Sequence, residues 1–392
     1  MNPANHPVVV HVIHSLEGGG TERTLVALLR AFDPSVLRHV VVTLRGAGRL
    51  SARLPDHVAC RPIAAVGRSW WTGPGLAKIT RDYQAALIHA RNTGCWIDAI
   101  IARILTPGAR LVLGFHGLET TQPLSRRQRR QARWAVLAGA RFVSVSQAGR
   151  RQLCDQAGVP SDRIDVLPNG VDLRRFGSLP SGTRKRMRAN FGFDDLGFVV
   201  GTVGALTPVK QHWALIRAVA YAAKHVPNIR LLVVGEGPLL ASLTEQASAL
   251  SIANRVVFTG RREDVPALMR CMDAYVCSSA SEGMSNALLE AMATGLPVVA
   301  TDVGDNGLTV RDGIEGRIVE PGSPSAITDA LTVLGQSPDL CQRFAASART
   351  RAAEYDFDRT ARAYEAYYRT LLVTPDKTTA GVISATMYPP AV

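Results

Sequence analysis

Short, continuous apolar runs alternate with longer stretches of helical period along most of the 392-residue chain. VVVHVIH (8–14), HVVVTL (39–44), ALIHA (86–90), ARLVLGF (109–115) and ARFVSVS (140–146) predict strands, and TERTLVALLRAF (21–32) predicts a helix. Runs without apolar–polar alternation suit parallel strands buried on both faces. Helices placed between them argue for βαβ units. The pattern lapses at GSLPSGTRKRMRAN (177–190), which is polar, basic and contains glycine and proline. It restarts with FVVGTVGAL (198–206), WALIRAVAYAAKH (213–225), RLLVVG (230–235), a helix from Pro238, VVFTG (256–260), AYVCSS (274–279), LPVVAT (296–301) and GRIVE (316–320). A last helical stretch, DRTARAYEAYYRTLL (358–372), precedes a short tail.

The expected organisation is α/β, with two doubly wound domains. The first covers 1–177, a linker 178–195 and the second domain 196–355. A final helix lies in 356–373, and the tail 374–392 is expected to be disordered. Two such domains face each other across a cleft. In open α/β sheets ligands bind beyond the carboxyl ends of the strands, so the loops after each strand are where chemistry belongs.

Composition narrows the class. Hydrophobic residues make up 46% and charged residues 20%, as in an ordinary globular protein. No stretch approaches the roughly 18 consecutive apolar residues of a membrane span. The first residues lack a basic n-region, which predicts no signal peptide. Six scattered cysteines without a CxxC pair read as buried thiols of a reducing compartment, so the expected location is the cytosol. The net charge of +13 is uneven: residues 1–177 hold 24 basic and 11 acidic side chains, and residues 178–392 hold 21 of each. A one-sided excess of arginine points to an anionic partner. Nucleic acid is a poor one, since no recognition motif accompanies the charge.

The loops offer several candidates. SLEGGGTER (15–23) has glycines ahead of a helix start, as close approach to phosphate requires, or it is a plain tight turn. It matches neither a Walker A loop nor the dinucleotide fingerprint. His116 follows a strand and either caps its end or meets a ligand. Asn169-Gly170 is a turn former with or without function. Lys210 is a phosphate counter-ion or a solvated lysine. In SSASEGMSNALLEAMATGLPVVATDVG (278–304), Glu282 and Glu290 flank a helix start capped by Ser285 or Asn286. The N–H groups from Gly283 to Asn286 form an anion site, and carboxylates on either side of it suit hydroxyls rather than phosphate. The bland reading is a helix with acidic residues near its start.

Eight stretches resemble glycosyltransferase family 4. They are EGGGTER (17–23), GFHG (114–117), VSVSQAGR (143–150), VLPNGVD (166–172), GALTPVKQH (204–212), VVGEGP (233–238), FTGRREDV (258–265) and SEGMSNALLEAMATGLPVVATDVGDN (281–306), in family order. The resemblance implies the GT-B fold: two Rossmann-like domains facing a cleft, with the C-terminal helix returning to the N-terminal domain. It implies a retaining, metal-independent enzyme moving a sugar from a UDP- or GDP-sugar donor, with no other cofactor. The acceptor would be a glycan or lipid-linked molecule in cell-surface glycan synthesis. Glu282 would bind donor-sugar hydroxyls and Glu290 the ribose. Backbone from Gly283 through Met284 and Ser285 to Asn286 would cradle phosphate or sugar. Lys210 would neutralise the diphosphate, Gly19 and Gly20 would line it from the other domain, and His116 would meet the reacting centre.

Two positions depart from the family pattern. Ala205 stands where an arginine is usual, removing a phosphate contact, and Asp305 replaces a glycine. Arg261 or Arg262 is expected to compensate. A catalytically impaired sugar-nucleotide-binding protein and a sugar-nucleotide epimerase remain alternatives. The run LSRRQRRQARWAVL (124–137) places Arg126, Arg130 and Arg133 on one helical stripe, flanked by Arg127 and Arg129. With Trp70 and Trp71, it suggests peripheral contact with an anionic membrane at the cytoplasmic face. The opposing reading is a solvated basic helix and a buried tryptophan pair.

Overall fold

The computed structural model describes residues 6–63, 71–117, 122–177 and 180–373. Trp70 and the tail 374–392 lie outside them. Among the described residues the strands form two parallel sheets. The first holds β1 (Val8–Ile13), β2 (Arg38–Thr43), β3 (Ala59–Pro62), β4 (Ala85–Ala90), β5 (Arg110–Phe115), β6 (Arg141–Ser144) and β7 (Ile164–Val166), in the order β3-β2-β1-β4-β5-β6-β7. The second holds β8 (Phe198–Val203), β9 (Ile229–Val234), β10 (Val256–Phe258), β11 (Ala274–Cys277), β12 (Val298–Thr301) and β13 (Gly316–Val319), in the order β10-β9-β8-β11-β12-β13. Every residue of β1 is buried, as expected of a strand covered on both faces.

Strand order reverses beside β1 in the first sheet and beside β8 in the second. These are the topological switch points, where ligands enter open α/β sheets. They single out the loops after β1, β4, β8 and β11.

The final helix, Phe357–Val373, returns to the first sheet. Tyr364, Tyr367, Tyr368 and Leu371 are buried there with Val9, Leu25, Leu28 and Leu29. The chain crosses back beside its outward crossing, where Val171 N–H donates to the Tyr355 carbonyl and Phe357 N–H to the Val171 carbonyl.

The basic stretch expected as a linker is structured. Helix Thr183–Asn190 buries Met187 in the core of the second domain. Arg188 is fully buried. Its guanidinium donates to the carbonyls of Asp194, Asp195, Gly197 and Cys271 and pairs with Asp273. A run that reads as solvated polarity contains a residue saturated with acceptors, and this arginine ties the segment to the second domain.

Candidate active site

The second domain supplies one wall of the cleft. After β11 the loop 278–285 leads into helix Asn286–Thr294. Ser285 is its N-cap, with Oγ accepting from Leu288 N–H at 3.4 Å, and Gly295 ends it in the left-handed conformation. Leu288, Leu289 and Met292 are buried, which fixes the helix against the sheet. Glu282 lies in the loop. Its Oε1 accepts from Lys210 Nζ at 2.6 Å and from Ser279 Oγ at 2.7 Å. Lys210 sits in the turn Pro208–Lys210 after β8, and Ser278 Oγ donates to its carbonyl at 2.9 Å. The two switch-point loops are thus tied together. In the free protein Lys210 is the partner of Glu282, rather than an isolated cation awaiting phosphate.

Glu290 is part-buried on the helix. Burial pushes its carboxyl up to about 7, against the pull of Arg175 and Arg23. Neither arginine was singled out from the sequence. Arg23 lies within EGGGTER, and its Nε donates to the Gly18 carbonyl at 3.1 Å. Its place on the first turn of the first helix was the available signal.

The first domain presents mostly backbone. Gly19 is the N-cap of helix Gly20–Ala31, and no side chain caps the helix. The N-terminus of this helix meets that of helix Asn286–Thr294: Asn286 Nδ2 donates to Thr24 Oγ1 at 3.2 Å and lies 3.5 Å from where a Cβ on Gly20 would stand. Two helix N-termini therefore converge on one place, a setting that favours an anion, and the Glu22 carboxylate in the first turn already lies against Gly19 at one of them. After β5, Gly117 (φ +88°) packs on Gly283. A Cβ on Gly117 would lie 2.9 Å from Gly283 N, and one on Gly283 would overlap the His116 carbonyl. The domains touch here with no room for side chains.

His116 is part-buried beside that seam. Burial and the nearby Arg91 charge push its pKa down to about 3, against a hydrogen bond with the Arg91 backbone. It is a neutral imidazole at physiological pH, able to orient a hydroxyl without adding charge. Arg91, just past β4, is 1% exposed. Its Nη1 meets His89 Nδ1 at 3.1 Å, and its guanidinium stacks 5.2 Å over the Tyr364 ring of the final helix. The same helix that joins the domains thus underlies the histidine.

Other expected residues divide. Arg261 Nη1 is 3.5 Å from where a Cβ on Gly18 would stand, and its Nε pairs with Glu236 at 2.6 Å. It faces the glycine loop. Arg262 does not: Nε and Nη2 both donate to Asp264, at 2.8 and 2.7 Å, within its own loop. Ala205 is exposed in the loop after β8. Met284 contributes to the domain seam as well, its carbonyl and Sδ accepting from Asn169 Nδ2 and N–H at 3.1 and 3.2 Å. Its side chain is buried in the core of the second domain.

Asp305 explains itself. It is 0% exposed, and its carboxylate crosses the seam to accept from Gln147 and Ala148 N–H at 2.7 and 2.9 Å. A second-domain side chain thereby caps the first-domain helix Gln147–Ala157, together with Ser146. Glycine could not do this.

Helix Arg126–Leu137 begins with a capping box formed by Ser125 and Gln128. Arg126, Arg127, Arg130, Arg133, Trp134 and Leu137 are exposed, Leu137 at 85%, and Arg129 is part-buried. Arg130 stacks 4.9 Å over the Trp134 ring. Trp71 is 61% exposed, so this member of the pair is not buried. No helix among the described residues is long and apolar enough to cross a membrane.

Known proteins agree with this architecture. The family model "Glycosyltransferase Family 4" matches residues 18–175, and "Glycosyl transferases group 1" matches residues 197–337. A D-inositol 3-phosphate glycosyltransferase of Nocardia farcinica is 30% identical over 332 residues, covering 82% of this chain and 69% of that one. A GDP-mannose-dependent alpha-(1-6)-phosphatidylinositol monomannoside mannosyltransferase of Mycolicibacterium smegmatis is 37% identical over 203 residues, 50% of this chain and 52% of that one. The crystal structure of Anabaena Alr3699/HepE in complex with UDP and glucose superposes with a TM-score of 0.81 at 24% identity, covering 93% of this chain and all of that one. With both halves matched and the two-sheet GT-B fold in place, the chain belongs to glycosyltransferase family 4.

Proposed function

We propose that the protein is a retaining, metal-independent glycosyltransferase that moves a hexose from a UDP- or GDP-sugar to a glycan or lipid-linked acceptor in cell-surface glycan synthesis. One observation carries this reading. Glu282 and Glu290 flank a helix N-terminus inside the cleft, with Lys210 at hydrogen-bond distance from Glu282. A diphosphate drawn to the helix end takes Lys210 as counter-ion and frees the Glu282 carboxylate for sugar hydroxyls. Glu290, farther along the helix, meets the ribose. The acceptor oxygen bonds to the anomeric carbon as the bond to the leaving diphosphate oxygen breaks. The acceptor proton passes to that departing oxygen on the same face, so no side-chain nucleophile is needed. Catalysis then rests on positioning and on neutralising the leaving group.

Two relatives support the acceptor class. One is named for inositol 3-phosphate and the other for a phosphatidylinositol mannoside. We place the protein in the cytoplasm, peripheral on the inner membrane face. Its contact is the stripe of Arg126, Arg130, Arg133, Trp134 and Leu137. Each basic residue near an anionic surface contributes about 1 kcal/mol, so the attachment is weak and salt-sensitive.

The test is incubation with UDP- and GDP-sugars and a membrane extract in the presence of EDTA, followed by NMR of the product anomer. Transfer with retained configuration is expected. Inverted configuration, dependence on added metal, or interconversion of the donor without transfer sinks the reading. Sedimentation with anionic and neutral vesicles at low and high salt tests the membrane face, and equal partition onto both would remove it.

A further inference from the structure

Beneath the final helix the first sheet carries a polar cluster that the donor contacts do not use. His11, His39 and His89 are buried on β1, β2 and β4, and the rings of His11 and His89 meet that of Tyr368. Arg91, the first residue past β4, joins them. Arginine cannot accept a hydrogen bond, so the 3.1 Å contact of its Nη1 with His89 Nδ1 makes that nitrogen an acceptor. The Tyr368 hydroxyl, 2.7 Å from the same nitrogen, then donates to it, and its oxygen accepts from Arg91 Nη1 at 3.4 Å. The three groups close a ring of hydrogen bonds that runs in one sense only.

This arrangement is expensive. Nε and Nη2 of Arg91 are buried without an acceptor, and no carboxylate pairs with the side chain among the described residues. The guanidinium has the Tyr364 face, 5.2 Å away, in place of a counter-ion. A well-packed apolar side chain would dock the helix at lower cost, so docking alone does not account for a cation here.

The main chain of Arg91 shows where it acts. Its N–H donates to the Val12 carbonyl at 2.8 Å, which ties it to the end of β1. On the other side Gly114 of β5 packs so closely that a Cβ there would stand 2.8 Å from the Arg91 carbonyl. That carbonyl accepts from the ring of His116, two residues farther along the chain. A neutral imidazole has a single N–H. Giving it to Arg91 fixes the tautomer and leaves the other ring nitrogen able only to accept.

We propose that Tyr368 and Arg91 are positioning residues for His116. The final helix grips the Arg91 side chain, the grip fixes the Arg91 carbonyl, and the carbonyl holds the His116 ring in one tautomer and one orientation. The helix that bridges the domains thereby sets the geometry beside the Gly117–Gly283 seam. The proposal rests on the glycosyltransferase reading above, in which His116 stands at the reacting centre.

Tyr368→Phe removes the hydroxyl and leaves the ring packed. With UDP- or GDP-sugar and the membrane extract, it is expected to lower kcat about tenfold with the donor KM within about twofold, since misplacing a reacting group costs turnover rather than binding. Leu371→Val is the control, because it loosens the apolar contact one turn farther along the same helix. It is expected to lower Tm by a similar amount and leave kcat unchanged. Nitrogen NMR of isotope-labelled histidines reads the tautomer without an activity assay, with His116→Gln assigning the resonance. One tautomer of His116 is expected in the wild type and a mixture in Tyr368→Phe. If Tyr368→Phe does not fold, Arg91→Lys, which keeps the charge without the planar fork, takes its place with the same expectations. A tautomer mixture in the wild type, a single tautomer in the variant, or an equal loss of kcat in Leu371→Val overturns the proposal. Absence of transfer by the wild type counts against the glycosyltransferase reading instead, and the tautomer measurement still decides the positioning.

Discussion

The two walls of the cleft are built on different principles. The second-domain wall presents charged side chains already engaged with one another: Lys210 with Glu282, and Glu282 with Ser279. The first-domain wall presents glycine backbone, a neutral histidine and arginines. The first suits a ligand of fixed chemistry, as the proposed contacts of sugar, diphosphate and ribose with Glu282, Lys210 and Glu290 require. The second joins glycine backbone and an uncharged imidazole, which impose shape, to arginines such as Arg23 and Arg91, which add positive charge. The comparison places the large energetic effects on the second-domain wall and the smaller, ligand-specific ones on the first.

Lys210→Ala gives the largest expected effect. With alanine at 205, Lys210 is the nearest side-chain cation that the switch-point loop of β8 offers to a diphosphate. Removing such a transition-state partner typically lowers turnover by about 10²–10³. The variant also leaves Glu282 without its counter-charge. Steady-state kinetics with saturating donor measure the change, and near-normal kcat would move the leaving-group role to the other wall.

Glu290→Gln comes next and separates function from stability. Burial pushes the folded carboxyl up to about 7, against about 4.3 in an unfolded chain. The folded state therefore holds this proton more tightly. The stability it contributes is full below the unfolded value and is lost as pH rises through about 7. The glutamine variant has no such loss. At pH 8 it is expected to unfold with about 1–3 kcal/mol more stability than the wild type, and at pH 4 with little difference. Its nucleotide affinity is expected to fall about tenfold, because an ionised acceptor for hydroxyls is gone. Wild-type affinity should rise between pH 6 and 8 as Glu290 ionises. Denaturant titration and calorimetry at several pH values check both halves, and a pH-independent wild-type affinity would remove Glu290 from the ribose.

The walls also differ in how far the sequence revealed them. Glu282, Ser285 and Glu290 lie within one loop and one helix, so their relation is local. Apolar runs announced the parallel sheets for the same reason, and β3 and β7 escaped because their sequences, ACRP and IDV, are broken by polar residues. The first-domain wall gathers Gly18 and Arg23 from after β1, Arg91 from after β4, and His116 and Arg127 from after β5. Arg23 and Arg175 meet Glu290 only once the domains close. Arg188 read as solvated linker because nothing local shows that six residues farther on the chain turns its carbonyls toward it. Asp305 stood out only as a departure, and its partners at 147 and 148 lie in the other domain.

Asp305→Ala tests that seam. It exposes two helix N–H groups to an empty buried space, and loss of such a cap costs about 1–2 kcal/mol. A lower Tm and a more open shape in X-ray scattering are expected, with Asp305→Asn intermediate. Unchanged scattering and Tm would mean that the Gly117–Gly283 contact and Asn169 hold the domains together without it.

The smallest effect concerns the missing arginine, and it decides between two adjacent residues. Arg261 approaches the glycine loop at Gly18, yet it is partly exposed and shared with Glu236. Solvent-screened pairs of this kind contribute about 1 kcal/mol or less. Arg261→Ala should therefore raise the donor KM only about threefold to fivefold. Arg262 spends its guanidinium on Asp264, and Arg262→Ala should leave the donor KM within about twofold. Restoring the arginine of the family pattern sharpens the contrast. Ala205 is exposed in the loop after β8. Ala205→Arg introduces its charge there without displacing core, and in the Arg261→Ala background it should bring the donor KM back to the wild-type value. If Ala205→Arg changes nothing in that background, or if Arg262→Ala raises the donor KM more than Arg261→Ala, compensation does not come from Arg261. The diphosphate would then depend on Lys210 and the two helix ends.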